Sequence, residues 1–166
     1  MPIVLTRIDQ KLIHGQVLTA WVPFLRVNKI VVVDEETTKK PDIMRIMSSP
    51  VPSGIVTSFI TPGHLKDELE NCRKDGVLSL ILFKDVNGAK EAINHVRDKI
   101  HSINLGYLGH NPDTVCLNIG KFFSVIEKEI DQLNWIIDQG ITLYTQSVPN
   151  EPRVNIRSDK LVWPWP

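Results

Sequence analysis

Cysteine is scarce in this chain of 166 residues, and neither sign of charge is in excess. The two cysteines, Cys72 and Cys116, fit no CxxC or metal-ligand spacing, so we expect two reduced thiols of the kind found in cytoplasmic proteins. Because 19 Lys and Arg residues balance 19 Asp and Glu residues, the chain lacks the net positive charge that attracts nucleic acids. We therefore expect no nucleic-acid partner.

Long apolar runs are also missing. No stretch approaches the ~18 apolar residues that a membrane-spanning helix needs. The first residues show no basic region followed by an apolar core and a small-residue cleavage site, so no signal peptide is visible. We expect a cytoplasmic chain that does not span the membrane, folded as a single domain over residues 1–166. Residues 150–166 form a tail whose structure the sequence leaves open.

Short apolar runs alternate with amphipathic stretches along the whole sequence. The predicted strands are residues 3–8, 30–33, 55–60, 77–83, 102–105, 115–119 and 141–145. The predicted helices are residues 17–25, 37–47, a helix that starts at Thr61-Pro62, one around residues 89–96, and residues 124–138. Strands that alternate with helices predict an α/β fold: one domain with a mostly parallel, open twisted sheet and helices on both faces.

The loop after the first strand is the chemically densest part of the sequence. Ligands of such sheets bind at the carboxyl ends of the strands, where this loop begins. His14 stands just before a helix, beside free backbone N–H groups and the positive end of the helix dipole, a geometry that binds anions such as phosphoryl groups. Gly15 leaves room for a close approach to the backbone, and a neutral imidazole can carry a covalent intermediate. These residues alone leave two interpretations of His14: a histidine that accepts a phosphoryl group, and a histidine with only a structural role at the start of a helix.

The order of residues in this loop narrows the choice. Residues 7–17 read Arg-Ile-Asp-Gln-Lys-Leu-Ile-His-Gly-Gln-Val, with Trp21 one turn further on. This closely resembles the start of the IIB components of the bacterial phosphotransferase system, in the mannose/fructose/sorbose family. Further segments are similar in the same order: the second strand and acidic turn, a Pro-Pro-Gly turn, an Asn-x-Gly loop and the closing strand, at residues 30–36, 50–54, 103–106 and 139–149.

The resemblance implies a phosphocarrier, the IIB component of a protein-N(pi)-phosphohistidine–sugar phosphotransferase. In that family the histidine of the His-Gly-Gln motif, here His14, takes a phosphoryl group on Nδ1 from the IIA component. It passes the group to a sugar that is imported through the membrane components IIC and IID. The implied partners are therefore IIA, IIC, IID and the sugar, whose identity the sequence does not give.

The same resemblance, read with the chemistry of phosphoryl transfer, suggests roles for the residues around His14. Lys11 and Arg7 are the candidate positive charges, and Asp9 orients either the imidazole or a basic side chain. Arg7 has a second interpretation, a surface ion pair with Asp9 or Glu36.

A bound phosphoryl group needs hydrogen-bond donors around it and residues on the opposite side of the crevice. The backbone N–H groups around residues 12–15, including those of Ile13 and Gly15, are the candidate cradle. Gln16 contacts either the phosphoryl group or a neighbouring loop, and Asn104 and Gly106 form the opposite wall of the crevice. No metal and no cofactor are expected, because the protein supplies the positive charge itself.

Two departures from the family pattern keep other functions open. The family reads Asp-Asp-Arg or Asp-x-Arg where this chain has Asp9-Gln10-Lys11, and a lysine holds phosphate as a flexible point charge rather than as a planar fork. The family's Asn-Asp after the second strand is Asp34-Glu35 here, which adds a carboxylate. The alternatives are a diverged regulatory or weakly active IIB paralogue, and an α/β domain that binds a phosphorylated metabolite without covalent chemistry.

Overall fold

The computed structural model describes residues 2–71, 76–157, 159 and 161–165. The strands within this part of the chain are β1 (Ile3–Asp9), β2 (Lys29–Val33), β3 (Val56–Ile60), β4 (Ser79–Phe83), β5 (Ser102–Tyr107), β6 (Leu117–Gly120), β7 (Phe123–Val125), β8 (Thr142–Thr145) and β9 (Val154–Ile156). The α-helices are α1 (Val22–Leu25), α2 (Glu35–Thr38), α3 (Pro41–Ser48), α4 (Leu65–Asn71), α5 (Val86–Val96) and α6 (Glu127–Asp138). A π-helical turn (Val17–Trp21) leads into α1, and 3-10 turns (Pro62–His64 and Arg97–Lys99) precede α4 and follow α5.

Seven of these strands form one sheet in the order β3-β2-β4-β1-β5-β8-β9. All neighbouring strands run parallel except β9, which pairs antiparallel with β8. Strands β6 and β7 form a separate antiparallel hairpin. The predicted mostly parallel sheet in a single α/β domain is therefore confirmed, with an antiparallel strand at one edge.

Apolar side chains cover both faces of the sheet, because successive strand residues point to opposite sides. One face packs against α4, α5 and α6 and includes Ile8, Val31 and Phe83. The other packs against the π-helical turn and α1, and includes Leu5 and Val32. The helices thus lie on both faces, as predicted.

The predicted helix over residues 37–47 is wrong in its extent, since two shorter helices occupy this region. Asp34 caps α2 by accepting a hydrogen bond from the backbone N–H of Thr37 at 2.8 Å, so the helix begins earlier than predicted. Lys40 leaves the helical region, with φ −124° and ψ 80°, because it precedes Pro41 and a residue before proline is disfavoured in helical geometry. Helix α3 then starts with that proline.

The segment between β5 and α6 also differs from the prediction. Residues 123–125 belong to β7 rather than to the start of a helix, and α6 begins at Glu127. The Glu129 carboxylate fixes that start by accepting a hydrogen bond from the backbone N–H of Ile126 at 2.9 Å. In the same region Cys116 is a free thiol, whereas Cys72 lies outside the described residues.

The tail after residue 150 is partly folded onto the domain. Strand β9 extends the main sheet, and Leu161 is buried in the core beside α6. Trp163 packs against that core and contacts Trp165 edge to face, with ring centroids 4.9 Å apart.

Within the described ranges, no helix is both long and apolar enough to cross a membrane.

The strand order creates one favourable position for a ligand. Strands β1 and β5 are neighbours, but the chain leaves β1 toward β2 on one side and leaves β5 toward β8 on the other. The loops at their carboxyl ends therefore diverge and open a crevice, which is where open α/β sheets bind ligands. Arg7 and Asp9 lie at this end of β1, and Asn104 and Gly106 lie at this end of β5.

Candidate functional site

Arg7 lies at the bottom of this crevice and is completely buried, with 0% of its surface exposed. Its Nε donates to Oδ2 of Asp9 at 2.9 Å, and its Nη1 donates to Oδ1 of Asn104 and to the backbone oxygen of Gln146. Its Nη2 donates to Oε1 of Gln16 at 3.5 Å. Burial lowers the pKa of the Arg7 guanidinium, and the Asp9 carboxylate opposes that shift. The pair with Asp9 is therefore formed inside the protein and not on its surface.

Gly106 makes room for this buried guanidinium. Arg7 pairs with Asn104 in the β1–β5 register, and the register then shifts so that Asp9 stands opposite Tyr107. A Cβ atom on Gly106 would lie 2.1 Å from Cζ of Arg7, a distance that side chains do not tolerate. Asn104 and Gly106 thus face Arg7 and form part of the pocket that encloses its side chain.

His14 lies above Asp9, with 21% of its side chain exposed. Its Nε2 is 3.0 Å from the same Asp9 oxygen that Arg7 contacts. Because an ionised carboxylate only accepts hydrogen bonds, this contact assigns the proton of a neutral His14 ring to Nε2. No residue in the described part of the chain forms a hydrogen bond with Nδ1, so its lone pair is available.

The Asp9 carboxylate also shapes the loop that carries the histidine. Its Oδ1 accepts a hydrogen bond from the backbone N–H of Lys11 at 3.1 Å, and its backbone oxygen accepts one from Leu12 at 2.9 Å. Leu12 adopts the left-handed region with φ 54° and is buried together with Ile13. These two apolar anchors hold the loop down, and the next residue, His14, reaches the surface.

The candidate anion cradle is smaller than predicted. The Leu12 N–H already has a partner, so it is not available to a ligand. Within the described residues, the backbone N–H groups of Ile13, His14 and Gly15 have no hydrogen-bond partner. Gly15 is exposed, and a Cβ placed there would meet no atom within 4 Å, so the space above it is open.

Lys11 and Gln10 connect the loop to the strand beside it. Lys11 is exposed, and its Nζ lies 4.1 Å from the ring centroid of Tyr107. The backbone N–H of Gln10 donates to the backbone oxygen of Tyr107 at 2.8 Å, and Oε1 of Gln10 accepts from the Gly109 N–H at 3.2 Å. No carboxylate of the described chain forms an ion pair with Lys11.

The extra carboxylate after β2 is occupied elsewhere. Asp34 caps α2, and Glu35 pairs with Lys39, with Oε1 and Nζ 2.9 Å apart.

The loop histidine His110 borders a hollow of about 490 Å³ beside Gln10, and its Nε2 lies 2.9 Å from a Glu129 oxygen. His110 is therefore tied to the start of α6.

Sequence reasoning missed Gln146 and Tyr107. The Gln146 oxygen accepts hydrogen bonds from both Arg7 and Asn104, the latter at 3.0 Å. Gln146 directly follows β8, so the rule that ligand sites form at strand carboxyl ends could have included it. The Lys11–Tyr107 contact had no such signal, because it depends on the register between β1 and β5.

Comparison with known proteins places this geometry in a family. The model of the sorbose subfamily IIB component of the PTS system, the phosphotransferase system, matches residues 3–161. The chain is 27% identical over 151 residues to the fructose-specific EIIB component of Bacillus subtilis (strain 168), with 91% of each protein covered. It is 26% identical over 156 residues to the mannose-specific EIIAB component of Escherichia coli (strain K12), with coverage of 94% of this chain and 47% of that protein.

A solved structure gives the same answer for the fold. The N-acetylgalactosamine IIB component of Streptococcus pyogenes superimposes with a TM-score of 0.83, at 24% identity and with 94% of each chain covered. The family model spans every segment in which the sequence resembled the mannose/fructose/sorbose family, including the whole His14 loop. The chain belongs to the sorbose subfamily of phosphotransferase-system IIB components.

Proposed function

We propose that this chain is a cytoplasmic phosphocarrier of a sugar phosphotransferase system. Nδ1 of His14 accepts a phosphoryl group from the IIA component and passes it to a sugar that enters through the membrane components IIC and IID. One observation carries the proposal. His14 Nε2 is held at 3.0 Å by the buried Asp9 carboxylate, while the side chain is 21% exposed and its Nδ1 has no partner among the described residues.

The chemistry of the accepting step follows from this arrangement. The Nδ1 lone pair forms the new N–P bond as the N–P bond of the donor phosphohistidine breaks, and the bonding electrons leave with the donor nitrogen. The His14 ring then carries positive charge, since Nε2 keeps its proton. Asp9 stabilises that charge through the existing hydrogen bond, and Arg7 holds the Asp9 carboxylate in place through its own hydrogen bond.

The groups around the loop suit the charge of a phosphoryl group. The N–H groups of Ile13, His14 and Gly15 have no partner among the described residues and are the candidate donors to the developing negative oxygens. Lys11 adds a positive charge on the same loop. Arg7 supports the site indirectly, because its donors are occupied by Asp9, Asn104, Gln146 and Gln16.

The name of one relative supports the IIA component as a partner. The mannose relative is an EIIAB component, which joins an A part and a B part, and this chain aligns with 47% of it. The names of the three relatives described above give three different sugars, namely fructose, mannose and N-acetylgalactosamine. The family alone therefore leaves the sugar open.

Phosphorylation in a reconstituted system tests the proposal. The protein is mixed with labelled phosphoenolpyruvate, enzyme I, HPr and a cognate IIA component, and the adduct is located by peptide mapping. We expect an acid-labile phosphoryl group on His14. The variant His14→Gln should lose the label completely, whereas the matched control His101→Gln, at the opposite end of β5, should keep it.

Each other outcome selects an alternative. A wild-type protein that acquires no label contradicts the phosphocarrier function and favours non-covalent binding of a phosphorylated metabolite. A labelled protein that never passes the group to sugar, in membranes that contain the transporter, favours a regulatory or weakly active paralogue. In that case Lys11→Arg, which restores the planar fork, shows whether the lysine limits transfer.

A further inference from the structure

The proposed function does not use the contact between Lys11 and Tyr107. The Lys11 ammonium lies 4.1 Å from the centroid of the Tyr107 ring, well within the range of a cation–π interaction. Tyr107 is the last residue of β5 and is half-buried. The ring therefore belongs to a strand of the main sheet, while the ammonium belongs to the His14 loop.

The backbone fixes both partners of this contact. The register places Tyr107 opposite Asp9, whose carboxylate binds both the Lys11 N–H and the His14 ring. The Gln10 N–H donates to the backbone oxygen of Tyr107 at 2.8 Å, so the residue before Lys11 is bonded directly to the strand. The backbone of the loop is consequently joined to the strand that carries the ring.

A lysine needs such support more than an arginine would. Its ammonium sits on a flexible four-carbon stem and has no planar fork that would fix its direction. No carboxylate in the described chain pairs with it, so the ring is the contact that orients this charge. Preorganised charge stabilises a transition state without a cost of reorganisation when the reaction occurs.

We infer that Tyr107 is a positioning residue for phosphoryl transfer, which holds the Lys11 ammonium on the His14 loop. This inference rests on the proposed function. Tyr107 itself touches no reacting atom and acts through Lys11.

A double-mutant cycle tests the inference, with the rate constant for phosphorylation by the IIA component as the readout. Tyr107→Leu removes the ring and should slow transfer about two- to fivefold, as expected from the strength of an exposed cation–π contact. Tyr107→Phe keeps the ring, so its rate constant should be close to that of the wild type. In the Lys11→Gln background, Tyr107→Leu should have no further effect, because the charge that the ring orients is gone.

A second exposed lysine–aromatic pair provides the matched control. Lys121 lies 5.1 Å from the ring of Phe122 in the turn between β6 and β7, and neither residue belongs to the His14 loop. Phe122→Leu also removes a ring beside a lysine, and it should leave the rate unchanged. A loss equal to that of Tyr107→Leu would mean that the effect is not specific to the loop, which overturns the inference.

A spectroscopic readout is independent of transfer. Protons above an aromatic ring shift upfield, so the ε-methylene signals of Lys11 should be shifted in the wild type and in Tyr107→Phe, and unshifted in Tyr107→Leu. Unshifted signals in the wild type overturn the inference. So does a Tyr107→Leu effect that is equal with and without Lys11, or a Tyr107→Leu variant that transfers as fast as the wild type.

The failures of the two proposals look different. A wild-type protein that acquires no phosphoryl group overturns the phosphocarrier function, and the role of Tyr107 in transfer with it. A wild-type protein that is labelled on His14 while the cycle is additive overturns only the assignment of Tyr107.

Discussion

Asp9 connects the buried charge of this protein to its exposed histidine. One of its oxygens binds both Arg7 and His14, and the other binds the backbone of the His14 loop. The histidine tautomer, the loop conformation and the neutralisation of Arg7 consequently depend on a single carboxylate. A substitution at Asp9 should therefore affect transfer, and it also removes the buried partner of the Arg7 charge.

Replacing Asp9 by asparagine tests this dependence. The amide can donate to Nε2, which moves the ring proton to Nδ1 and removes the attacking lone pair. We expect Asp9→Asn to slow phosphorylation of His14 by roughly 10²- to 10⁴-fold, in line with other orienting carboxylates. The measurements are the single-turnover rate of labelling and the ¹⁵N shifts of the imidazole, which report the tautomer.

The same substitution at Asp34 serves as the control. Asp34 follows β2 and caps α2, and asparagine is an equally good helix cap, so Asp34→Asn should label at the wild-type rate. Far-ultraviolet circular dichroism of both variants checks that they are folded, because Asp9→Asn leaves Arg7 without its carboxylate. A wild-type rate for folded Asp9→Asn would contradict the orienting role.

For individual residues of the site, the sequence predicts those that are close together along the chain but not those that the fold brings together. The order of Asp9, Lys11 and His14 identified the loop, since these residues are close in sequence. The burial of Arg7 could not be predicted, because its partners Asn104 and Gln146 lie about a hundred or more residues away and become neighbours only through the strand order.

Between elements, the junction of β1 and β5 decides where the charged groups fit. Gly106 follows Asn104 by two residues on β5, and its missing side chain leaves the volume that the Arg7 guanidinium fills. The register shift that follows brings Tyr107 opposite Asp9. Two strands thus build the arginine pocket and the lysine contact together.

The substitution Gly106→Ala should disturb this junction. The new methyl group would overlap the guanidinium, so Arg7 must move away from Asp9. We expect a loss of about 1–3 kcal/mol in the free energy of unfolding, typical of overpacking, together with slower labelling of His14. Urea denaturation and the labelling assay measure the two effects.

Gly88→Ala is the matched control for that experiment. Gly88 lies in α5, where an added Cβ would come no closer than 3.4 Å to the nearest atom, an Asp85 oxygen. Alanine has a higher helix propensity than glycine, so this variant should be as stable as the wild type or more stable by about 0.5–1 kcal/mol. Equal stability of the two variants would show that the space at Gly106 is not needed.

The elements that the sequence predicted are those with strong local signals. The buried parallel strands β2 and β4 read as continuous apolar runs, as expected for strands covered on both faces. The hairpin strand β7 and the edge strand β9 have three residues each and no comparable pattern. The division between α2 and α3 did have a signal, the Lys40-Pro41 step, which the helical periodicity obscured.

The whole molecule brings chemistry from distant segments to one end of the sheet. The loop after β1 carries the histidine, β5 supplies the walls of the arginine pocket, and the Gln146 oxygen after β8 completes it. These strands are neighbours in the sheet and lie on either side of the point where the chain connections diverge. The site therefore depends on the pairing of β1, β5 and β8 within the sheet, and its geometry should be lost when the domain unfolds.

The last apolar residues of the described chain belong to this same cooperative unit, and Leu161→Ala tests that. Leu161 is only 2% exposed in the core, and its backbone oxygen accepts a hydrogen bond from the Asn134 side chain of α6 at 2.9 Å. Truncating it should cost about 2 kcal/mol of unfolding free energy in urea, the lower end for buried leucines, because the cavity can partly collapse. Val162→Ala changes a residue that is 64% exposed, and should cost less than about 0.5 kcal/mol. If both variants unfold at the wild-type midpoint, this segment adds nothing to the stability of the domain.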